Sequence, residues 1–237
     1  MGSHNESPER SQKTSSLETA DLVSLNVGKP IAVNHGTKEI MSGIFKQGSE
    51  EELRLEKTGL SGDGQADLVN HGGPDKAVCA YFEAHYDYWS EQLSIPLAYG
   101  AFGENFTISN WTEEELCIGD IIEAGELMLQ VSQPRQPCFK LGIRHKAADL
   151  PIKVQQSGYT GFYFRVLKEG AIKAGAQLRL KERHSAGITI AEANRLMYVD
   201  KQDIAGLRKL LAVKELAESW QEPLASRLAR LLTAEGG

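Results

Sequence analysis

Cys138 sits in the run Gln133-Pro134-Arg135-Gln136-Pro137-Cys138-Phe139-Lys140, on a stiff turn between two cations. Leu127 to Val131 just before it reads as a buried strand. Pro134 and Pro137 cannot donate to a sheet ladder, so the strand is expected to stop there. Each proline fixes its own φ and pushes its predecessor towards an extended shape, which restrains the Cys138 side chain. Arg135 and Lys140 favour the thiolate, the form that attacks electrophiles and binds metals. The competing reading is a buried structural cysteine, and by spacing alone the two stand level.

Asn70-His71-Gly72-Gly73-Pro74-Asp75-Lys76 is a glycine turn with a histidine on one side and a lysine on the other. Paired glycines let backbone N–H groups converge on an anion, and Lys76 adds a point charge suited to phosphate. No Gly-Lys-Ser/Thr closes the turn, so it is not a Walker A loop. Taken alone, an ordinary tight turn explains it better. Gly100-Ala101-Phe102-Gly103-Glu104-Asn105-Phe106 sets glycines beside a polar pair ahead of a short apolar run. It too is weak by itself.

In this order, and with Gly158-Tyr159-Thr160-Gly161-Phe162-Tyr163-Phe164-Arg165-Val166, these segments resemble the MOSC family, named for the C-terminal domain of molybdenum cofactor sulfurase, in its bacterial YiiM-type branch. The likeness runs from about residue 21 to about residue 233. It implies a small β-barrel that holds molybdenum cofactor (molybdopterin), a pterin with a dithiolene-bound metal and a phosphate tail. It makes Cys138 the protein's ligand to molybdenum. Such a site needs a soft sulfur donor, anion-binding groups and polar groups for the pterin ring. Lys76, Arg135, Lys140 and the backbone at Gly72 and Gly73 are candidates for the anionic charge. Glu104 and Asn105, next to Gly103, offer an acceptor and a donor for the pterin edge. His71 is placed to bind the cofactor and to move a proton in turnover, since its ordinary pKa suits transfer near neutrality.

The activity implied by the resemblance is reduction of an N-hydroxylated substrate, of the hydroxylamino-purine class, to the amine and water. Electrons would come from a separate reductase, a flavoprotein or an iron–sulfur protein. A protein that carries the cofactor or handles sulfur without turnover is the alternative.

Bulk composition narrows the field. The 237 residues are 41% hydrophobic and 24% charged, ample for a core with an appendage. A net charge of −6 argues against non-specific nucleic-acid binding, which needs a basic surface. No apolar run approaches the roughly 20 residues that span a bilayer. The start lacks the apolar core of a secretory signal, so a cytoplasmic location and no membrane contact are expected. The cysteines Cys79, Cys117 and Cys138 form no C-x-x-C pair, which leaves a zinc knuckle without support. Cys79 and Cys117 read as core positions on strands.

The elements that must position these residues suggest a mainly β fold with added α. Residues 1–20, rich in Ser, Glu, Lys and Thr, read as a disordered leader. Residues 21–184 read as the barrel domain, with many short strands divided by glycines. Val23, Leu25 and Val27 alternate with polar neighbours, as do Leu53 and Leu55. Ile121-Ile122 and Leu127 to Val131 flank a hairpin turn, Glu83 to Leu93 reads as a helix, and Tyr159 to Leu167 and Gln177 to Lys181 add late strands. Residues 185–233 read as a three-helix domain. Thr189-Ile190-Ala191-Glu192 is a capping box; Ile204, Leu207 and Leu211 form one stripe, and Leu216, Trp220, Leu224, Leu228 and Leu231 another. Pro223 is expected to kink or restart the last helix. From Ser185 onward seven Lys/Arg meet seven Asp/Glu, which rejects a helix-turn-helix DNA reader. These helices are expected to be a separate layer without chemistry, packed on the barrel or on a second copy in a homodimer.

Overall fold

The computed structural model describes residues 18–67 and 72–235. The strands, in chain order, are β1 (Thr19–Val27), β2 (Ile31–His35), β3 (Lys38–Ser42), β4 (Gln47–Gly48), β5 (Leu53–Glu56), β6 (Gly59–Leu60), β7 (Val78–Phe82), β8 (Phe106–Ile108), β9 (Ile121–Ala124), β10 (Leu127–Pro134), β11 (Phe162–Lys168), β12 (Gly170–Ile172) and β13 (Gln177–Glu182). The hydrogen-bonded order β13-β9-β10-β11-β7-β8-β1 returns to β13 through a further β1–β13 pairing. The sheet therefore closes into a seven-strand barrel with no free edge around its wall. Only the β7–β8 neighbours in this ring are parallel. The expected hairpin is present: β9 and β10 meet across Gly125-Glu126, where Gly125 takes φ +58°. β5, β6 and β12 form a small side sheet, and β2 and β3 a two-stranded hairpin of their own.

The barrel interior is filled, not hollow. Leu22, Ile108, Leu129, Phe82, Phe106, Phe162 and Phe164 are fully buried in one apolar cluster. Each contributes about 1.5–3 kcal/mol by leaving water. β7 (Val-Cys-Ala-Tyr-Phe) is buried at all five positions because its second face is covered as well. A second cluster, including Tyr81, Trp89, Phe102, Leu141 and Val154, lies against that outer face. The helices of this covering layer are α1 (Tyr86–Leu93), entered through a 3-10 turn at Glu83–His85, α2 (Phe139–His145) and α3 (Leu150–Ser157).

Bulges re-aim the strands that lead to the cleft. In β1 the register shifts between Leu22 and Ser24. The fully buried leucines are consequently Leu22 and Leu25, while Val23 and Val27 are half-buried; the simple alternation expected from sequence does not hold. In β10 the register shifts between Val131 and Gln133, just before the proline turn. β10 ends at Pro134, where its missing donor predicts.

The last elements are α4 (Ile190–Asn194) continuing into a π-turn at Arg195–Val199, α5 (Ile204–Leu211) and α6 (Glu218–Glu235). Thr189 caps α4 by accepting from the Glu192 N–H at 3.1 Å. α6 runs unbroken through Pro223, against the expected restart; the ring removes the single donor that would reach the Ser219 carbonyl, and the helix carries on beyond it. The expected boundaries shift slightly. Thr19 and Ala20, assigned to the leader, already pair with Arg179 and Leu178 in the barrel, and the leader's first 17 residues lie outside the described residues. Ile190, Leu196, Leu207, Leu210, Trp220 and Leu224 share the barrel's own apolar cluster, so the helices are one packed unit with it. Among the described residues no helix is long and apolar enough to cross a membrane.

Candidate functional site

On the outer face of the β7–β11 wall, a cleft partly open to solvent is lined by Cys138, Arg135, Lys140, Lys76, Cys79 and Tyr163, together with Phe102, Gly103 and Asn105. Gly43, Ile44 and Lys46 from one loop and Gly64, Gln65 and Ala66 from another complete its wall. Cys138 is half-buried and stands immediately ahead of α2, with φ −111° and ψ 161°. The extended backbone follows from the prolines before it and the helix from the residues after it, so the thiol is held at the point where strand geometry turns into helix.

Arg135 is 5% exposed, its N–H donates to the Gly161 carbonyl at 3.0 Å, and its guanidinium Nη1 has no protein partner. Burial alone pulls its pKa down, but Cys79, Tyr163, Cys138 and Glu104 around it outweigh that and raise it. An unpaired buried guanidinium donor costs about 1–3 kcal/mol unless a ligand accepts from it. Cys79 and Tyr163 are cross-strand partners on β7 and β11, and both face the cleft. Burial pushes the Cys79 thiol up to about 11 and the Tyr163 phenol well above its usual range. Both stay protonated as neutral donors. Lys76 is half-buried, and burial lowers its pKa against the raising effect of Asp75 and Asp67.

Gly103 lines the cleft at φ +78°, and a Cβ there would lie 2.6 Å from the Ile44 side chain. Its contribution is close approach of two loops. Glu104 does not face the cleft, contrary to the expected contact with a pterin. It is fully buried; Tyr86 Oη donates to it, and so do the Gly100 N–H at 2.8 Å, the Phe102 N–H at 3.0 Å and the Thr107 hydroxyl at 2.9 Å. The carboxylate ties down the loop that carries Gly103. Asn105 does line the cleft, but its amide is committed: Oδ1 accepts from the Cys79 N–H at 3.1 Å, and Nδ2 donates to the Asn26 carbonyl and to Asp63 Oδ2 at 3.1 and 2.9 Å. Asp63 also pairs with Lys46 and accepts from the Gly28 N–H at 2.9 Å. This buried hub carried no sequence signal.

In the glycine turn, His71 lies outside the described residues. Gly72 and Gly73 are not among the residues that line the cleft; Gly73 opens the short 3-10 turn Pro74–Lys76 that aims Lys76 inward. Arg165 holds that turn, donating to Asp75 Oδ1 at 2.6 and 2.8 Å and to Gln130 Oε1 at 2.9 Å. Ser132, at the β10 bulge, donates to the Asp75 and Tyr163 carbonyls. The lysine turn and the cysteine strand are thereby fixed to each other.

Residues outside the motifs are structural. His85 is buried against Glu113 at 2.6 Å and stacks on Tyr159, His145 donates to the Ala101 carbonyl at 2.8 Å, and His35 is exposed. Cys117 is buried beside Arg183, with its thiol raised by burial and Asp120. Cys79 is a core strand residue as expected, yet it also faces the cleft, which its apolar neighbours in the sequence concealed.

Residues 67–179 match the MOSC domain, and residues 188–231 match the YiiM-like, 3-alpha helix domain. The chain is 47% identical over 218 residues to the uncharacterized protein YflK of Bacillus subtilis, covering 92% of this chain and 99% of that protein. It is 37% identical over 190 residues to protein YiiM of Escherichia coli, covering 78% and 84% respectively. A protein from Gibberella moniliformis named a reductase is 40% identical over 149 residues, 61% of this chain and 26% of that protein. Among solved structures, YiiM from Geobacillus stearothermophilus superposes with a TM-score of 0.76 at 39% identity, covering 88% of this chain and 99% of that one. With barrel, helices and both domain matches in agreement, the chain belongs to the MOSC family, in the branch that appends a YiiM-like three-helix domain to its barrel.

Proposed function

We propose that this protein holds molybdenum cofactor in the Cys138 cleft and reduces N-hydroxylated compounds, hydroxylamino-purine bases among them, to amines. The observation that carries the reading is a half-buried thiol sharing one cleft with a buried guanidinium whose Nη1 lacks any protein acceptor. The donor set fits the group: a soft sulfur for the metal, and Arg135, Lys76 and Lys140 for an anionic pterin phosphate. The Gibberella relative, whose matching region is 26% of a protein named a reductase, supports a redox role.

When bound, the cofactor supplies two-electron metal redox chemistry. The chain's own residues bind and orient. Cys138 holds the metal side, while Arg135 and the lysines neutralise charge. Tyr163 and Cys79, kept protonated by burial, offer hydrogen bonds to an oxygen in the cleft. The overall reaction consumes two electrons and two protons: the N–O bond breaks, the nitrogen ends as the amine and the oxygen leaves as water. A separate flavoprotein or iron–sulfur reductase is the electron source. The test is protein made in a cofactor-competent host, assayed for molybdenum and for viologen-driven conversion of 6-N-hydroxylaminopurine to adenine. Bound molybdenum with no turnover would favour a carrier and overturn the enzymatic reading.

A further inference from the structure

From the surface around the cleft mouth, we infer that the β2–β3 hairpin and Phe139 form the docking site for an electron-donor protein with an acidic face; this rests on the reductive reading above. The hairpin pairs with no other strand among the described residues, and seven of its ten strand residues are exposed. A lone two-stranded hairpin is marginal in water, and one kept at a site's rim is suited to being covered. It presents Ile31 at 46% and Met41 at 50% exposure, and Phe139, from α2, adds a ring at 53%. His35 at the hairpin tip lies 5.2 Å from that ring, and Ile31 and Lys38 share its face of the hairpin by register, so Ile31 and Phe139 belong to one surface while Met41, paired with Ala32, lies on the other face.

That surface adjoins the chemistry on both sides. Gly43 and Ile44, directly after β3, line the cleft, and so do Cys138 and Lys140 on either side of Phe139. A protein seated on the hairpin would lie over the mouth. Electron transfer slows steeply with distance, and the opposite side of the site is closed by the barrel's packed interior.

Charge selects the partner. Segments 29–46 and 139–146 hold six of the 26 Lys and Arg but one of the 32 Asp and Glu, leaving 20 against 31 for the rest of the chain. Lys46 is neutralised by buried Asp63 and Arg144 is drawn inward to the Ile44 carbonyl, which leaves Lys29, Lys38, Lys140 and Lys146 against Glu39 within these two segments. A basic, partly apolar rim on an acidic protein attracts an acidic face in one orientation and repels it elsewhere. Small interfaces of this kind suit the transient encounters of electron transfer.

The experiment compares two electron routes in the loaded protein: reduced methyl viologen, and an acidic flavodoxin or acidic [2Fe–2S] ferredoxin kept reduced. The variants are Lys38→Glu and Ile31→Glu, both exposed, on the hairpin face that adjoins Phe139, and neither in the cleft. With a protein donor, kcat/KM should fall about tenfold or more and the wild-type rate should drop with added salt, while the viologen rate stays unchanged. An equal loss by both routes would show that the hairpin builds the site. No loss with protein donors would overturn the proposal, as would a hairpin-dependent dimer in sedimentation or binding to anionic vesicles that the variants abolish. If wild-type protein has no viologen-driven turnover, the reductive reading fails. Docking is then decided by direct binding of the oxidised donors, expected to weaken about tenfold in the variants. Absence of any wild-type binding at low salt would sink it.

Discussion

Ser219 at the start of α6 donates its hydroxyl to Gln133 Oε1 at 2.8 Å. Beside it the Ala217 N–H donates to the Ser132 carbonyl at 2.9 Å, and the Tyr198 hydroxyl in the π-turn lies near Gln136. The C-terminal helices therefore touch the strand end and turn that carry Arg135 and Cys138. Their role is to brace the cysteine loop as well as to cover the barrel.

Cys138→Ser should abolish molybdenum retention and turnover while leaving the fold intact, because a hard, poorly ionised oxygen replaces a soft sulfur. Cys117→Ala should cost only stability, through lost packing. Cys79→Ala separates the two roles that its position gives it: a stability loss of about 1 kcal/mol with normal metal content marks a packing residue, and reduced turnover per molybdenum marks a cleft donor. Metal analysis beside activity distinguishes these results.

Glu104→Ala should destabilise the fold by about 3 kcal/mol or more, since two backbone N–H groups and two hydroxyls lose their acceptor in a buried site. For a domain of this size the melting temperature should fall by roughly 6–12 °C. If Glu104→Ala melts like the wild type but loses cofactor, the carboxylate contacts the ligand after all.

What the sequence disclosed was local. The proline turn at Cys138, the Thr189 cap and the β9–β10 hairpin each arise from neighbours in the chain, and each stands where it was expected. The cleft's second wall was illegible because Gly43, Ile44, Gly64, Gln65 and Ala66 carry no reactive group and meet Cys138 only through folding. Glu104 misled for a related reason. An acid beside glycines looks the same whether it faces a ligand or its own backbone, and only the closed loop reveals which donors reach it. Nor does the sequence show that Arg165 would pair with Asp75 of the lysine turn, 90 residues earlier in the chain.

Arg135→Met tests whether the cleft is built for a ligand at the expense of the empty protein. The substitution removes a buried guanidinium with an unused donor and keeps most of the apolar volume, so the cofactor-free protein should melt at the same temperature or higher. Cofactor occupancy should collapse in the same variant. A strongly lowered melting temperature would mean that Arg135 is a structural residue.

His145 supplies a pH dependence with a definite sign. Burial lowers its pKa below the ordinary 6.5, against the opposing hydrogen bond to the Ala101 carbonyl. The unfolded chain then binds the proton more readily, so the contribution is full above about 6.5 and is lost as pH falls through the lowered folded value. His145→Gln should flatten the decline in melting temperature between neutral and mildly acidic buffer. An unchanged slope would place the acid sensitivity elsewhere.

Removing the helices tests the brace most directly. A chain ending at Glu182 would strip Ile190, Leu207, Trp220 and Leu224 from the apolar cluster that they share with the barrel and bare the area they cover. That area exceeds what a soluble monomer tolerates, so the truncated chain should aggregate or fail to fold. Because insolubility alone would say nothing about the cleft, the sharper variant is the double change Tyr198→Phe with Ser219→Ala. It deletes the Ser219 hydrogen bond to Gln133, at about 1 kcal/mol, together with the Tyr198 hydroxyl near Gln136, and leaves the apolar packing in place. The double variant should stay folded, and Cys138 should react several-fold faster with a neutral alkylating reagent as the loop opens more often. Molybdenum content per folded molecule should fall in parallel. Wild-type alkylation rates and full occupancy would return the helices to a purely covering role, with the loop held by its prolines and by α2 alone.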